Sequence, residues 1–109
     1  MRTIHLLCIA TAWSLASAMV SAANDEAGKK KAAEACAACH GPEGAKPVTP
    51  DTPRLAGQQY DYLVQVLTEY REGKRDNAVM TAMAKPLTAS EIRDLASYFS
   101  RQQGLFTNR

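Results

Sequence analysis

The apolar positions of this chain change their spacing along its length, and the changes divide it into segments. Residues 6–20 are almost entirely apolar or small and carry no charge. Residues 25–36 are rich in alanine and lysine and open with Asn24, Asp25 and Glu26, a pattern that predicts a capped helix with acidic residues at its positive end. Gly28 is out of place there, because glycine within a helix costs up to ~1 kcal/mol against alanine and often marks close approach of another backbone. Over residues 58–72, Tyr60, Leu63, Val64 and Leu67 follow i, i+3, i+4, i+7 spacing, Tyr70 extends the stripe, and Gly73 ends it. The last helix opens with a capping box, Thr88 to Glu91, carries Ile92, Leu95, Ala96 and Phe99 on one face, and ends by Gly104.

Two segments break the periodicity. Residues 41–53 hold Pro42, Pro47, Pro50 and Pro53, four of the five prolines, with two glycines. This predicts a loop wrapped around something, since proline there removes donors and fixes φ. Residues 76–86 read as a second irregular stretch, and they contain Met80 and Met83. No alternating β-branched run occurs, so the domain is expected to be all-α, without internal repeats.

The apolar run near the start has the layout of a secretory signal peptide. Arg2 and His5 form a short basic region, and the small residues Ser21, Ala22 and Ala23 follow the run. The run is short for a membrane span. Residues 1–22 are therefore expected to be a cleaved leader, cut after Ala22 or Ala23, with the domain over residues 23–109. The expected location is the periplasm, with no transmembrane anchor after processing. Cleavage removes Cys8, leaving Cys36 and Cys39, and removes Met1 and Met19. Of 13 basic residues only Arg2 is lost, against 11 acidic ones, a near balance that argues against nucleic acid or a membrane surface as the main partner. So small a domain buries a modest core and often relies on a staple. A disulfide between Cys36 and Cys39 would close too small a loop to serve.

Cys36-Ala37-Ala38-Cys39-His40 is the segment that carries chemistry. Two thiols separated by two residues can add to the two vinyl groups on a porphyrin edge, and the histidine that follows can ligate the iron. Rival readings are short of parts. A thioredoxin-like pair would follow a strand, and none precedes Cys36. A structural zinc site wants four Cys or His ligands, and a common iron–sulfur cluster four cysteines. With no other histidine past the leader, a sixth iron ligand would be Met80 or Met83, or the position is open. A thioether there favours reduced iron and suits an electron carrier.

In these motifs the chain resembles the class I c-type cytochromes, in particular the single-haem c553-like proteins and the half-domains of cytochrome c4. The resemblance rests on CAACHG from Cys36, PRLAGQ from Pro53, YLVQVLTEYREGKR from Tyr62, MTAMAKPL from Met80 and EIRDLASYFS from Glu91. It implies a cytochrome c fold of three to four helices around one covalently bound haem c, with the first and last helices crossing. Gly28 would lie at the crossing, where Tyr98 or Phe99 could approach. It also implies that Pro53 offers its carbonyl to the His40 ring, and that Met80 is the ligand while Met83 packs. Gln58, Tyr62 and Arg75 are candidate propionate donors, Arg75 first because guanidinium suits carboxylate geometry. Leu55, Leu63, Leu67, Leu87, Ile92 and Leu95 are expected to line the haem or the core.

The function so implied is one-electron transfer without turnover of a substrate, so no enzyme. The expected partners are redox proteins such as a membrane respiratory complex, a terminal oxidase or a periplasmic dehydrogenase. Two alternatives are a haem subunit of a multi-component oxidoreductase and a five-coordinate gas-binding or peroxidatic protein. Lys29, Lys30 and Lys31 read as a solvated helix face.

Overall fold

The computed structural model describes residues 22–104. Residues 1–21, where a leader is expected, and the tail beyond Gly104 lie outside the described residues. The described chain is helical, with no strand: α1 (Asp25–Ala35), α2 (Ala37–His40), α3 (Tyr60–Arg71), α4 (Ala78–Ala84) and α5 (Ala89–Ser100). A single 3-10 turn, Pro42–Gly44, follows α2.

Each long helix is set by local signals. The Asn24 side chain accepts from the backbone N–H groups of Glu26 and Ala27 at 3.0 and 3.1 Å, which satisfies donors that the helix itself leaves free. The helix ends at Ala35, one residue earlier than expected, and Cys36 closes it with its N–H on the Ala32 carbonyl. In α3 the start falls at Tyr60 rather than residue 58, because Gln59 is extended (φ −65°, ψ 136°). At α5 both arms of the capping box are present: Thr88 Oγ1 accepts from Glu91 N at 3.1 Å, and Glu91 Oε2 accepts from Thr88 N at 2.9 Å.

The expectation of an irregular stretch over residues 76–86 is corrected: Ala78–Ala84 is a helix, so both methionines are helical. Asn77 caps it, neither glycine nor proline interrupts it before Pro86, and Ala78, Ala82 and Ala84 have high helix propensity. At seven residues it is too short to show an amphipathic stripe.

The core forms where α1, α3 and α5 meet. Ala32, Leu63, Leu95, Ala96 and Phe99 are buried together, with Cys36, Leu55, Tyr60, Val64, Leu67, Leu87 and Tyr98 packed half-buried against them. Ile92 is also fully buried. The crossing of α1 on α5 depends on Gly28. A Cβ there would fall on the Asp94 carbonyl oxygen and within 2.9 Å of Tyr98 Cβ. The partner at the crossing is therefore the α5 main chain with Tyr98, whereas Phe99 turns into the core. Polar contacts rim the crossing. Asn24 N donates to Asp94 Oδ1 at 2.7 Å, Ser97 Oγ donates to Asp25 Oδ1, Arg101 pairs with Asp25 at 2.9 Å, and Lys31 pairs with Glu91 at 2.8 Å.

Two outcomes follow from this crossing. Gly28→Ala must push the two helices apart, and overpacking of this kind costs about 3 kcal/mol. In chemical denaturation the variant should lose most of that amount, with the thermal midpoint falling by roughly 10–20 °C. Separately, the Glu91 carboxyl is held below the usual range by hydrogen bonding to the Lys31 ammonium and by the Thr88 N–H. A lowered carboxyl pKa contributes stability that is present above the ordinary glutamate value and is lost as the pH falls through the lowered one. Glu91→Gln should thus be less stable than wild type at neutral pH, and the two unfolding curves should converge in acid.

Candidate functional site

The site begins as one turn of chain at the end of α1. The N–H groups of Cys39 and His40 both donate to the Cys36 carbonyl, at 3.3 and 3.0 Å, so residues 36–40 form a tight helical turn. Cys36 is half-buried and Cys39 exposed, and both are free thiols. Burial pushes the Cys36 thiol up to about 11, with the Lys31 ammonium pulling slightly the other way. A redox-active cysteine needs its thiolate, and redox pairs of this spacing sit in electropositive surroundings that lower the value. Cys36 is built in the opposite sense.

His40 is buried at 5% exposure, and its Nδ1 lies 2.7 Å from the Pro53 carbonyl oxygen. A carbonyl only accepts, so Nδ1 carries the proton and the ring's lone pair is left on Nε2. The loop that brings Pro53 there is tied by main-chain bonds. Val48 N donates to Cys39 O at 3.0 Å, Leu55 N and Ala56 N to Gly44 O at 2.9 and 3.1 Å, and Gly57 N to Phe99 O at 2.9 Å. Gly41 makes the entry possible, with φ +78° and a Cβ position that would coincide with the Lys46 carbonyl.

The other expected site residues are distributed unevenly. Leu55 is half-buried against the core. Gln58 turns onto its own chain, its Oε1 accepting from Gln59 N at 2.8 Å. Tyr62 is 45% exposed. Arg75 is exposed and reaches back over α3: its Nε donates to Tyr70 Oη at 3.2 Å, its Nη1 pairs with Glu69 at 3.4 Å, and its guanidinium lies 5.5 Å from the Tyr70 ring centroid. The Tyr70 phenol oxygen, accepting from Arg75 Nε, holds the guanidinium above its usual range. Arg75 is thus engaged with Tyr70 and Glu69, and Gln58 with its own chain. On α4, Met80 is half-buried while Met83 is 42% exposed.

Tyr70, Glu69 and Asn77 were not among the expected site residues. By spacing, Tyr70 belongs to the apolar stripe of α3. Asn77 carried a signal, an asparagine directly before Ala78-Val79-Met80, which the irregular reading of that stretch hid.

Among the described residues no three His, Cys, Asp or Glu side chains converge to hold a bare metal ion. The donor set instead suits a group that brings its own equatorial ligands. It offers two free thiols one turn apart, an imidazole with one nitrogen pinned and the other available, thioethers on a separate helix, and half-buried apolar residues against the core. Haem fits these residues. An all-helical fold with crossed first and last long helices and this donor set defines a covalent-haem protein of the c type.

The sequence profile of the cytochrome c family matches residues 26–102, and the chain belongs to that family. It is a class I c-type cytochrome resembling a half-domain of cytochrome c4, and its cofactor is covalently bound haem c. It is 46% identical to cytochrome c4 of Thiocapsa roseopersicina over 77 residues, covering 71% of this chain and 39% of that protein. It is 45% identical to a thiosulfate dehydrogenase electron acceptor of Thiomonas intermedia, covering 63% of this chain and 32% of the relative. The crystal structure of reduced recombinant cytochrome c4 from Pseudomonas stutzeri superposes with a TM-score of 0.69 at 36% identity, over 77% of this chain and 48% of that one. The chain spans half or less of the length of these relatives.

The expectation that Cys36 and Cys39 hold the haem has a direct readout. Cys36→Ser and Cys39→Ser, each keeping one thiol, should still show haem staining on a denaturing gel, at reduced yield. The double variant should show none.

Proposed function

We propose that this protein is a periplasmic one-electron carrier whose iron is held between His40 and Met80. Membership of the cytochrome c family and the similarity to cytochrome c4 support a mono-haem electron carrier that acts with redox partner proteins. Bound haem supplies the Fe(III)/Fe(II) couple. The residues do the rest. Cys36 and Cys39 fix the group covalently. His40 is oriented by the Pro53 carbonyl, and such an outer bond fixes the ring's tautomer and raises its basicity as a ligand. Met80 supplies a soft thioether that favours the reduced state.

The observation that carries this reading is the contrast on α4: Met80 is half-buried and Met83 is 42% exposed. A thioether open to water is poorly placed to ligate an enclosed iron. For the propionates, Arg75 and Tyr62 are favoured over Gln58, which is already bonded to its own chain. Export is supported by the leader pattern over residues 1–22. No helix among the described residues is long and apolar enough to cross a membrane.

The name of the Thiomonas intermedia relative, an electron acceptor for thiosulfate dehydrogenase, supports a second role of the same site as the electron-accepting partner of a periplasmic dehydrogenase. Both roles are served by a six-coordinate iron, and neither involves substrate turnover on it.

Carbon monoxide tests the ligand assignment. The reduced wild type should bind it negligibly at neutral pH, Met80→Ala should bind it rapidly, and Met83→Ala should behave as wild type with a modest loss of stability. Rapid binding by wild type would favour the five-coordinate reading, and opening of the iron by Met83→Ala would reverse the methionine assignment.

A further inference from the structure

The short helix that carries Met80 is held differently at its two ends. Its seven residues are fewer than an isolated helix needs to persist in water. No acidic residue in its first turn and no basic residue in its last turn offsets its dipole. Packing secures only the carboxyl end. Ala84 is fully buried there, whereas Ala78, Val79, Ala82 and Met83 are exposed and Met80 and Thr81 half-buried. At the amino end stands Asn77, in extended conformation (φ −168°, ψ 107°). Its Oδ1 accepts the backbone N–H of Met80 itself at 2.9 Å, and its carbonyl accepts from Thr81 N at 2.8 Å.

We propose that Asn77 is a positioning residue for the iron's sixth ligand: its side chain holds the turn from which Met80 presents its thioether. This rests on the reading of Met80 as ligand. The turn over residues 77–81 is needed both for the cap and for the placement of Met80. Cap and ligation therefore stabilise one another reciprocally, as any two interactions sharing one conformational state must. Removing the cap frees the Met80 N–H and lets this end of α4 fray. It leaves the crossing of α1 on α5, and the turn bearing Cys36, Cys39 and His40, untouched.

The experiment compares Asn77→Ala, Asn77→Gln, Asn77→Ser and Asn24→Ala in the haem-loaded protein, with Met80→Ala as reference. Three quantities are read: the rate of carbon monoxide binding to the reduced form, the sulfur-to-iron charge-transfer absorption of the oxidised form as temperature rises, and global unfolding. Asn77 is exposed, so its variants should fold and keep their covalent haem. Loss of a capping side chain should raise the ligand-free fraction, and with it the carbon monoxide rate, by about fivefold in Asn77→Ala. The charge-transfer band should fade at a lower temperature than global unfolding. Asn77→Gln, which keeps the amide but sets it one methylene too far out, should behave like Asn77→Ala. Asn77→Ser, which can accept the same N–H, should restore both readouts. Asn24→Ala removes the corresponding cap of α1 and should lower global stability while leaving the carbon monoxide rate at the wild-type value.

The proposal is overturned if Asn77→Ala and Asn77→Gln bind carbon monoxide at the wild-type rate. It is equally overturned if serine fails to rescue, or if Asn24→Ala opens the iron as much as Asn77→Ala does. Failure of the underlying ligand reading looks different, because Met80→Ala would then keep the charge-transfer band.

Discussion

The contact on which the architecture depends is the one made by a missing side chain. At Gly28 the backbone of α1 comes against the Asp94 carbonyl of α5 so closely that a single Cβ would occupy the same space. Helix α1 has little else to hold it, since Gly28 and Ala32 are its only buried residues. Close approach lets these small residues pack, and it brings Asn24, Asp25 and Lys31 within reach of Asp94, Ser97, Arg101 and Glu91. The end of α1 is then fixed over Leu95 and Phe99, and the end of α1 is where Cys36 sits. The position of the haem-binding turn is inherited from the crossing.

From there the two sides of the site are built by different means. The His40 side is held by main chain. The residue 36–40 turn closes on the Cys36 carbonyl, the following loop is tied to Cys39, Gly44 and Phe99, and Pro53 needs only its carbonyl to orient the ring. The methionine side is a seven-residue helix with one buried residue and one side-chain cap. Elements with few buried contacts lie at the low end of a protein's local stabilities. With the ligation proposed above, one ligand would stand on a turn held by main chain and the other on a short helix with few buried contacts.

Much of this was legible from residues alone where one residue type has one strong reason to be there. The glycine within a helical pattern implied a close backbone approach, and Thr88 with Glu91 implied both arms of a capping box. Apolar spacing located α3 and α5, and the cysteine–histidine segment implied haem. What escaped notice was decided by short range or by geometry. Helix α4 is too brief for its period to register, and an asparagine such as its cap, Asn77, suits a loop as well as a helix start. Arg75 stands out for its chemistry, yet its contacts with Glu69 and Tyr70 depend on how the turn after Gly73 folds back over α3, which spacing cannot convey. The start of α3 falls two residues later than the pattern implies because a single extended residue, Gln59, precedes it.

The loop over residues 41–57 has a consequence of another kind. Its course is fixed by glycine conformations and by bonds between main-chain atoms, while Val48 projects into solvent, 64% exposed, beside Cys39. The shape of the surface around the haem-attachment turn is therefore uncoupled from the identity of most side chains that cover it. Substitution there can redraw charge and contour without disturbing the ring of His40. A lineage can change the company such a protein keeps while preserving the chemistry it brings.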